Sequence, residues 1–411
     1  VSLPLAVPVY RRYDLLFRMI DSAMAGTAAP SRILIIDNGT ELQDSLAQAG
    51  RVLPGNVEVY DPGENIGVAG AWNVALKWAN GPVVITNDDF VFAPESLARF
   101  EAAVRPGEPQ LVCGDGWACF LQTPELTEKV GFYDENYYPA YWEDRDYSIR
   151  MSLAGLATED IDIGAFRHEG SATIKTFNDW ELEAHAHAFD ANRALFASKW
   201  RKEVAKDVTI SFIIPTLGRP TLERTLRSMI QAGIAPTDQV IVVSDGERPE
   251  VEGRVRSVGL PCEVIVSSVP FAGDTGNTPR NAAMKLATRT HLHFMDDDDV
   301  YTPGAITFMR EETGIEPMRL HVFKFTIPSG EVVPREPSVY YGNLSTHSLI
   351  YPNQPAKLSY WGVNDDDQDF AFISETIKLH AGEHKRDSKT VDTRVAWHDF
   401  ITCVARPKDD Q

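Results

Sequence analysis

The stretch FMDDDDVYTPGAI, Phe294 to Ile306, sets four consecutive carboxylates, Asp296 to Asp299, behind the apolar-rich run THLHFM. Like charges so close repel one another, and burying a carboxylate without a partner costs more still. A chain that puts such a cluster at the end of a buried strand needs a cation for it. The stretch also has a twin. VVITNDDFVFAPESL, Val83 to Leu97, repeats the order of apolar run, acidic cluster, apolar or aromatic pair and proline. Asn87, Asp88 and Asp89 lie opposite Asp296, Asp297 and Asp298, and Pro94 lies opposite Pro303.

The correspondence continues upstream. LAVPVYRRYDLLFRMIDSA pairs with SFIIPTLGRPTLERTLRSMI, each a short apolar strand ending near a proline (Pro8, Pro215) and followed by a helical period. RILIIDNGT pairs with QVIVVSDGE, with Asp37 opposite Asp245, and GAWNVALKWA pairs with TPRNAAMKLA, with Asn73 opposite Asn281. The offset stays at about 208 residues, which is a duplicated domain and not a solenoid period. Continuous apolar runs alternating with helical patterns predict parallel strands buried on both faces. The fold class expected is therefore α/β, two tandem domains, each a mainly parallel sheet flanked by helices. In such sheets ligands sit beyond the carboxyl ends of the strands. Pro8, Asp37 and Asp89 all fall at such ends in the first half, as do Pro215, Asp245 and Asp298 in the second.

The boundary is expected near residue 207. NDWELEAHAHAFDANRALFASKWRKEVA reads as a long helix closing a first domain, 1–207, with a second over 208–411. Asn178 and Glu181 have capping-box spacing, and Lys199, Arg201 and Lys202 near the far end suit the helix dipole.

Bulk properties agree with a soluble globular protein. The 411 residues suggest about two to three domains, at 43% hydrophobic and 24% charged content. No apolar run approaches the roughly 20 residues of a membrane span, and the amino-terminal run, broken by Pro4 and Pro8, lacks the pattern of a signal peptide. Cys113, Cys119, Cys262 and Cys403 show no zinc spacing and read as isolated thiols of a cytoplasmic protein. A net charge of −20, with both halves acidic, disfavours a generic polyanion-binding surface, and so disfavours DNA as a partner.

Together these motifs resemble the family-2 glycosyltransferases, which have the GT-A fold. The resemblance covers nearly all of the first half and about two thirds of the second. It implies a strand-end D-x-D holding Mn²⁺ or Mg²⁺, which neutralises the diphosphate of a UDP-, GDP- or dTDP-sugar donor on hard oxygen ligands. Asp89 matches the last acid of that motif and Asn87 departs from it, an amide where an acid is usual; Asp88 lies between them. His168, in AFRHEGS, matches the histidine that completes metal coordination. YWEDRDYSIRMSLAG matches the E-D-x-D helix start, with Asp144 as the base and Glu143 beside it. Asp37 is expected to read the nucleobase, and Pro8, Asn65 and Asn73 to lie beside the nucleotide. In the second half the same roles fall to Pro215, Asp245, Arg280 and Asn281, with Asp296 and Asp298 as a full D-x-D. NDDDQDFAFI can be laid on the E-D-x-D, giving Asp366, Asp367 as the second base and Asp369, and His398 is the candidate metal histidine there.

The resemblance implies an inverting hexosyl- or related transferase, acting on a glycan, protein or small-molecule acceptor, with one or two successive transfers. Several alternatives share these residues. One active domain beside a non-catalytic sugar-nucleotide binder, a nucleotidyltransferase of similar fold, or a phosphohydrolase would each use strand-end acids. Single residues have bland readings too. His185 and His187 are two apart and so face different sides of their helix, which suits surface positions. Trp117, Tyr141 and Trp142 suit either a sugar face or the core.

Overall fold

The computed structural model describes residues 2–170, 172–362, 368–382, 392 and 394–407. It divides into two compact units, Val1–Lys199 and Trp200–Gln411. The division falls inside the long helix α7 (Asp179–Val204). Its last turn belongs with the second unit, where Arg201 pairs with Glu312 at 3.0 Å.

In the first unit the strands are β1 (Leu5–Val9), β2 (Ile33–Asp37), β3 (Val57–Tyr60), β4 (Val83–Thr86), β5 (Phe90–Val91), β6 (Leu111–Asp115), β7 (Cys119–Gln122), β8 (Glu159–Asp160) and β9 (Arg167–His168). The helices before α7 are α1 (Tyr13–Met24), α2 (Leu42–Ala49), α3 (Gly67–Ala79), α4 (Ser96–Ala103), α5 (Pro124–Val130) and α6 (Glu143–Leu153). The sheet runs β3-β2-β1-β4-β7-β6-β8, with the first four strands parallel and β7 antiparallel to both neighbours. Leu5 and Val7 of β1 pack on one face with Leu16 and Ile20 of α1, while Ala6 packs on the other with Trp72 and Ala75 of α3. Both faces are covered, which is why these strands read as unbroken apolar runs.

The second unit repeats the plan. Its strands are β10 (Ile210–Thr216), β11 (Gln239–Asp245), β12 (Glu263–Val269), β13 (His291–Phe294), β14 (Val300–Tyr301), β15 (Leu320–Thr326), β16 (Val332–Val333), β17 (Leu349–Pro352) and β18 (Val395–Val404). Its helices are α8 (Thr221–Ala232), α9 (Pro249–Val258), α10 (Asn277–Met284), α11 (Ala305–Ile315) and α12 (Gln368–Ala381). The order β12-β11-β10-β13-β17-β15-β18-β14 contains the same four parallel strands followed by an antiparallel one. α8 buries Leu222, Leu226 and Met229 at helical spacing. It stops at Gly233, whose φ of 94° favours glycine and where a Cβ would stand 2.1 Å from Thr307 Oγ1.

One residue expected beside the nucleotide has the same scaffold partners in both copies. Asn73 on α3 donates to the Tyr133 carbonyl at 3.0 Å and accepts from the Tyr133 amide at 2.9 Å. Asn281 on α10 does the same with Trp361, at 2.9 and 3.0 Å. Each amide fastens its helix to a distant loop by imitating a strand partner, and both side chains are buried. In the folded chain Asn73 and Asn281 act as staples. Asn73→Ala leaves both Tyr133 backbone groups unpaired, and we expect a loss of about 2–4 kcal/mol in the first unit's stability. Urea unfolding followed by tryptophan fluorescence measures it, and an unchanged midpoint would remove the staple's role.

Candidate active site

A cavity of about 900 Å³ opens at the carboxyl ends of the first unit's parallel strands. Pro8 from β1, Asn65 ahead of α3, and Asn87, Asp88 and Asp89 after β4 line it. Glu143 and Asp144 at the start of α6 and His168 of β9 complete the set. The volume lies in the range of small-molecule sites.

Asp89 and His168 are far apart in sequence and meet through a two-stranded ribbon. β5 pairs antiparallel with β9, with Phe90 opposite His168 and Val91 opposite Arg167. His168 Nε2 stands 3.2 Å from Asp89 Oδ1, and its Nδ1 stands 2.8 Å from Asp115 Oδ2 at the end of β6. Asp89 Oδ1 is buried and accepts no hydrogen bond. A buried carboxylate oxygen left open beside an imidazole nitrogen fits a divalent cation, with the Asn87 amide as a further oxygen donor. Burial and the neighbouring Asp89 charge push the Asp88 carboxyl up to about 7.

Glu143 and Asp144 are delivered by a strained turn. Tyr141 and Trp142 have φ of 75° and 76°, a region that side chains rarely adopt. Asn192 of α7 holds this turn by donating to the Ala140 carbonyl at 2.9 Å. Asp144 Oδ1 accepts from the Arg145 amide at 2.7 Å, and burial still raises its pKa. Glu143 Oε2 is buried and accepts no hydrogen bond. Burial, with the Asp144 charge second, pushes the Glu143 carboxyl up to about 8. Asp146, third acid of the motif, is fully buried and serves the scaffold, pairing with Arg150 at 2.8 Å and with Lys199 of α7.

Asp37 accepts from Tyr13 Oη at 2.5 Å and from the Leu42 amide at 3.0 Å, which ties each carboxylate oxygen to α1 or the start of α2. Its neighbour Asn38 lines the cavity. Trp117 and Tyr141 lie in the cavity wall, whereas Trp142 is buried against Phe189 and Phe196.

In the second unit the acids after β13 also converge. Asp296, Asp298 and Asp299 each bring an oxygen within 4.8 Å of the others, a spacing that can hold a cation. Arginines already crowd them. Arg280 pairs with Asp296 at 2.5 Å, Arg219 with Asp298 at 3.0 Å and with Asp297 at 3.3 Å, and Arg406 with Asp298 at 3.4 Å. Arg280, expected beside the phosphates, is the partner of Asp296 here and lies over the Trp361 ring. Asp245 accepts from the Ala272 and Gly273 amides at 2.6 and 2.9 Å and so pins that loop. Pro215 is buried in β10 against Gly276.

His398 is not brought to the acids. Its Nε2 meets His321 Nδ1 at 2.9 Å, its Nδ1 faces Glu312 at 3.5 Å, and its ring stacks on Phe323. Val300 of β14 pairs with Val404 of β18, the counterpart of the β5–β9 ribbon. The chain leaving β18 carries Arg406 to the cluster, where its amide donates to Asp299 at 2.9 Å. The histidine beside these acids is His347, 3.5 Å from Asp299. Asp369 accepts from Ser345 Oγ at 2.9 Å. Asp366 and Asp367, the expected second base, lie outside the described residues.

A family model described as glycosyl transferase family 2 matches residues 5–166 and again residues 211–373. The chain belongs to glycosyl transferase family 2. Its two units are tandem GT-A-like domains. A galactofuranosyl glycosyltransferase of Leishmania donovani is 49% identical over 60 residues, which is 15% of this chain and 14% of that protein. Among solved structures, S. aureus TarS 1–349 is similar at TM-score 0.39 and 20% identity, over 48% of this chain and 60% of that one. The mannosyltransferase PcManGT from Pyrobaculum calidifontis, in complex with GDP-Man and Mn²⁺, is similar at TM-score 0.35 and 16% identity, over 47% of this chain and 72% of that one.

Within this family 2 chain, several cavity residues carried no sign of a site role in the sequence. Trp180, Glu181 and His185 of α7 form one wall of the cavity, and Arg11, after β1, crosses to Glu181 at 2.5 Å. His185 is half-buried there with its ring against Tyr141, while His187 is exposed. Asp115 sits in GDGWACF, where only an isolated acid before an aromatic marks it. No helix among the described residues is long and apolar enough to cross a membrane.

The raised carboxyl of Glu143 carries a pH prediction. An unfolded glutamate releases its proton near pH 4.3, whereas the folded group holds it to about 8. The folded state therefore binds more protons than the unfolded chain across that window, and stability falls as pH rises from about 5 to 8. Thermal unfolding of the metal-free protein across this range should show the decline, and Glu143→Gln should flatten it. An unchanged slope in the variant would show that Glu143 does not carry the effect.

Proposed function

We propose that this chain transfers a glycosyl group from a nucleotide-sugar donor to an acceptor hydroxyl, with inversion, and that the first unit is the catalyst. One cavity that gathers Asn87, Asp88, Asp89 and His168 on one side with Glu143 and Asp144 on the other supports the assignment. Membership of glycosyl transferase family 2 supports the reaction class. Asp89 and His168, with Asn87, would hold Mn²⁺ or Mg²⁺. When bound, that cation supplies positive charge for the departing nucleoside diphosphate.

The chain's own groups do the rest. Asp144 accepts the proton of the acceptor hydroxyl as its oxygen bonds to the anomeric carbon, and the bond from that carbon to the diphosphate oxygen breaks. Asp144 suits this task better than Glu143, which its burial keeps protonated at neutral pH. Glu143, as the neutral partner, avoids placing a second negative charge beside the base. Pro8, Asn38 and Asn65 border the space for the nucleotide. Trp117, Tyr141 and Trp180 offer ring faces to a sugar. The acids of the cavity are a poor match for a DNA acceptor.

The arginine pairing of Asp296, Asp297 and Asp298 favours a second unit that binds without turnover over one that adds a second sugar. Asp144→Asn keeps the shape and removes the proton acceptor; turnover should fall by about 10²-fold or more with donor affinity nearly unchanged. Product analysis by mass spectrometry over a nucleotide-sugar panel reads it, and a near-native rate in the variant moves the base elsewhere. Asp89→Ala should abolish Mn²⁺-dependent donor binding, measured by calorimetry. Asp298→Ala should leave the products unchanged. A product in wild type carrying one sugar more than the Asp298→Ala product would establish two transfers instead.

A further inference from the structure

Asp115 has no role in the reading above, yet it makes the shortest polar contact to the ring of His168. Its Oδ2 lies 2.8 Å from Nδ1, while Nε2 on the opposite side of the ring faces Asp89 Oδ1 at 3.2 Å. An imidazole bound to a cation offers a lone pair, so its other nitrogen must carry the proton. A carboxylate can only accept from that nitrogen. The sequence order of the three groups is uninformative: Asp89 follows β4, Asp115 ends β6 and His168 lies on β9. The fold aligns them.

We propose that Asp115 is a positioning residue for the first unit's cation site, fixing His168 as the Nδ1–H tautomer so that the Nε2 lone pair faces Asp89. This rests on the assignment of the cation to Asp89 and His168. Three features of the fold serve the arrangement. The β5–β9 ribbon holds Phe90 opposite His168, which fixes the height of the ring beside Asp89. Phe90 is fully buried and its ring lies against that of His168, which limits rotation. The register of β6 against β7 shifts between Cys113 and Asp115, which departs from strict alternation where the acid leaves the strand. A carboxylate behind the imidazole also makes Nε2 a stronger donor.

The second unit holds its acids another way. There the ribbon strand β18 leads to Arg406, and an arginine, having no acceptor, needs no carboxylate to select a tautomer.

The test uses the full chain and two readouts. Mn²⁺ affinity, measured by electron paramagnetic resonance without donor and with Asp298→Ala in every sample to disable the acidic cluster of the second unit, should weaken by about 10–100-fold in Asp115→Ala. Asp115→Asn should fall between it and wild type, because the amide oxygen still accepts from Nδ1–H but carries no charge. Long-range ¹H–¹⁵N spectra of the metal-free protein, recorded with the ring neutral, should show His168 as Nδ1–H in wild type and a mixture of tautomers in Asp115→Ala. Circular dichroism checks that each variant is folded; if the alanine variant is not, the asparagine variant decides. Unchanged Mn²⁺ affinity in a folded variant overturns the proposal, as does an Nε2–H tautomer in wild type. Asp89→Ala separates the two levels. If Mn²⁺ affinity survives Asp89→Ala, the cation assignment fails, while the tautomer spectra still decide whether Asp115 holds the ring.

Discussion

Carboxylates gathered at the ends of buried strands must be neutralised, and that requirement governs both units. Parallel strands deliver their carboxyl ends to one edge of a sheet, so whatever acids follow them converge. In the first unit Asp88, Asp89, Glu143 and Asp144 meet with few cations among them. Part of the repulsion is relieved by protons, as the raised Asp88 and Glu143 carboxyls show. Asp89 keeps an open oxygen beside His168. In the second unit the same problem is met with arginines, and Arg280 and His347 draw Asp296 down against the effect of burial. Where protons and an open oxygen do the compensating, a cation and a base have room to act. Fixed guanidinium groups fill the equivalent space with protein.

The two copies share their scaffold more closely than their chemistry. The strand order, the amide staples Asn73 and Asn281, and the ribbons β5–β9 and β14–β18 recur. Each of these satisfies backbone groups that would otherwise be buried unpaired, so losing one costs stability in either copy. The residue that each ribbon presents to the acids is under no such constraint. It is His168 in one unit and Arg406 in the other.

Helix α7 contributes to the site as well as to the chain's length. Asn178 and Glu181 form the capping box, with both bonds at 3.0 Å. Glu181 also pairs with Arg11, which has a φ of 66° at the mouth of the cavity. Farther along, Asn192 holds the strained turn before Glu143, and Lys199 pairs with Asp134 at 2.9 Å and with the buried Asp146. One face of this helix thus fixes the start of α6, which carries the proposed base.

The amino-acid sequence by itself determined the duplication, the parallel strands, the acids at their ends and the cap of α7. Those features rest on local periodicity and on residues three or four apart, which a sequence displays directly. Through the resemblance to the family's motifs it also singled out Asn87, Asp89, Glu143, Asp144 and His168. Tertiary structure alone decided which polar side chains remain open to the cavity. Asp37, Asn73, Asp245, Arg280, Asn281 and His398 carry chemistry suited to a site, and the folded chain gives each of them partners that the sequence did not announce. Asp115, Arg11 and Trp180 show the converse, reaching the site through ribbon pairing and helix packing that no local pattern encodes. A donor or acceptor is spent on whichever partner the folded chain brings within about 3 Å, and that distance is set by the whole fold.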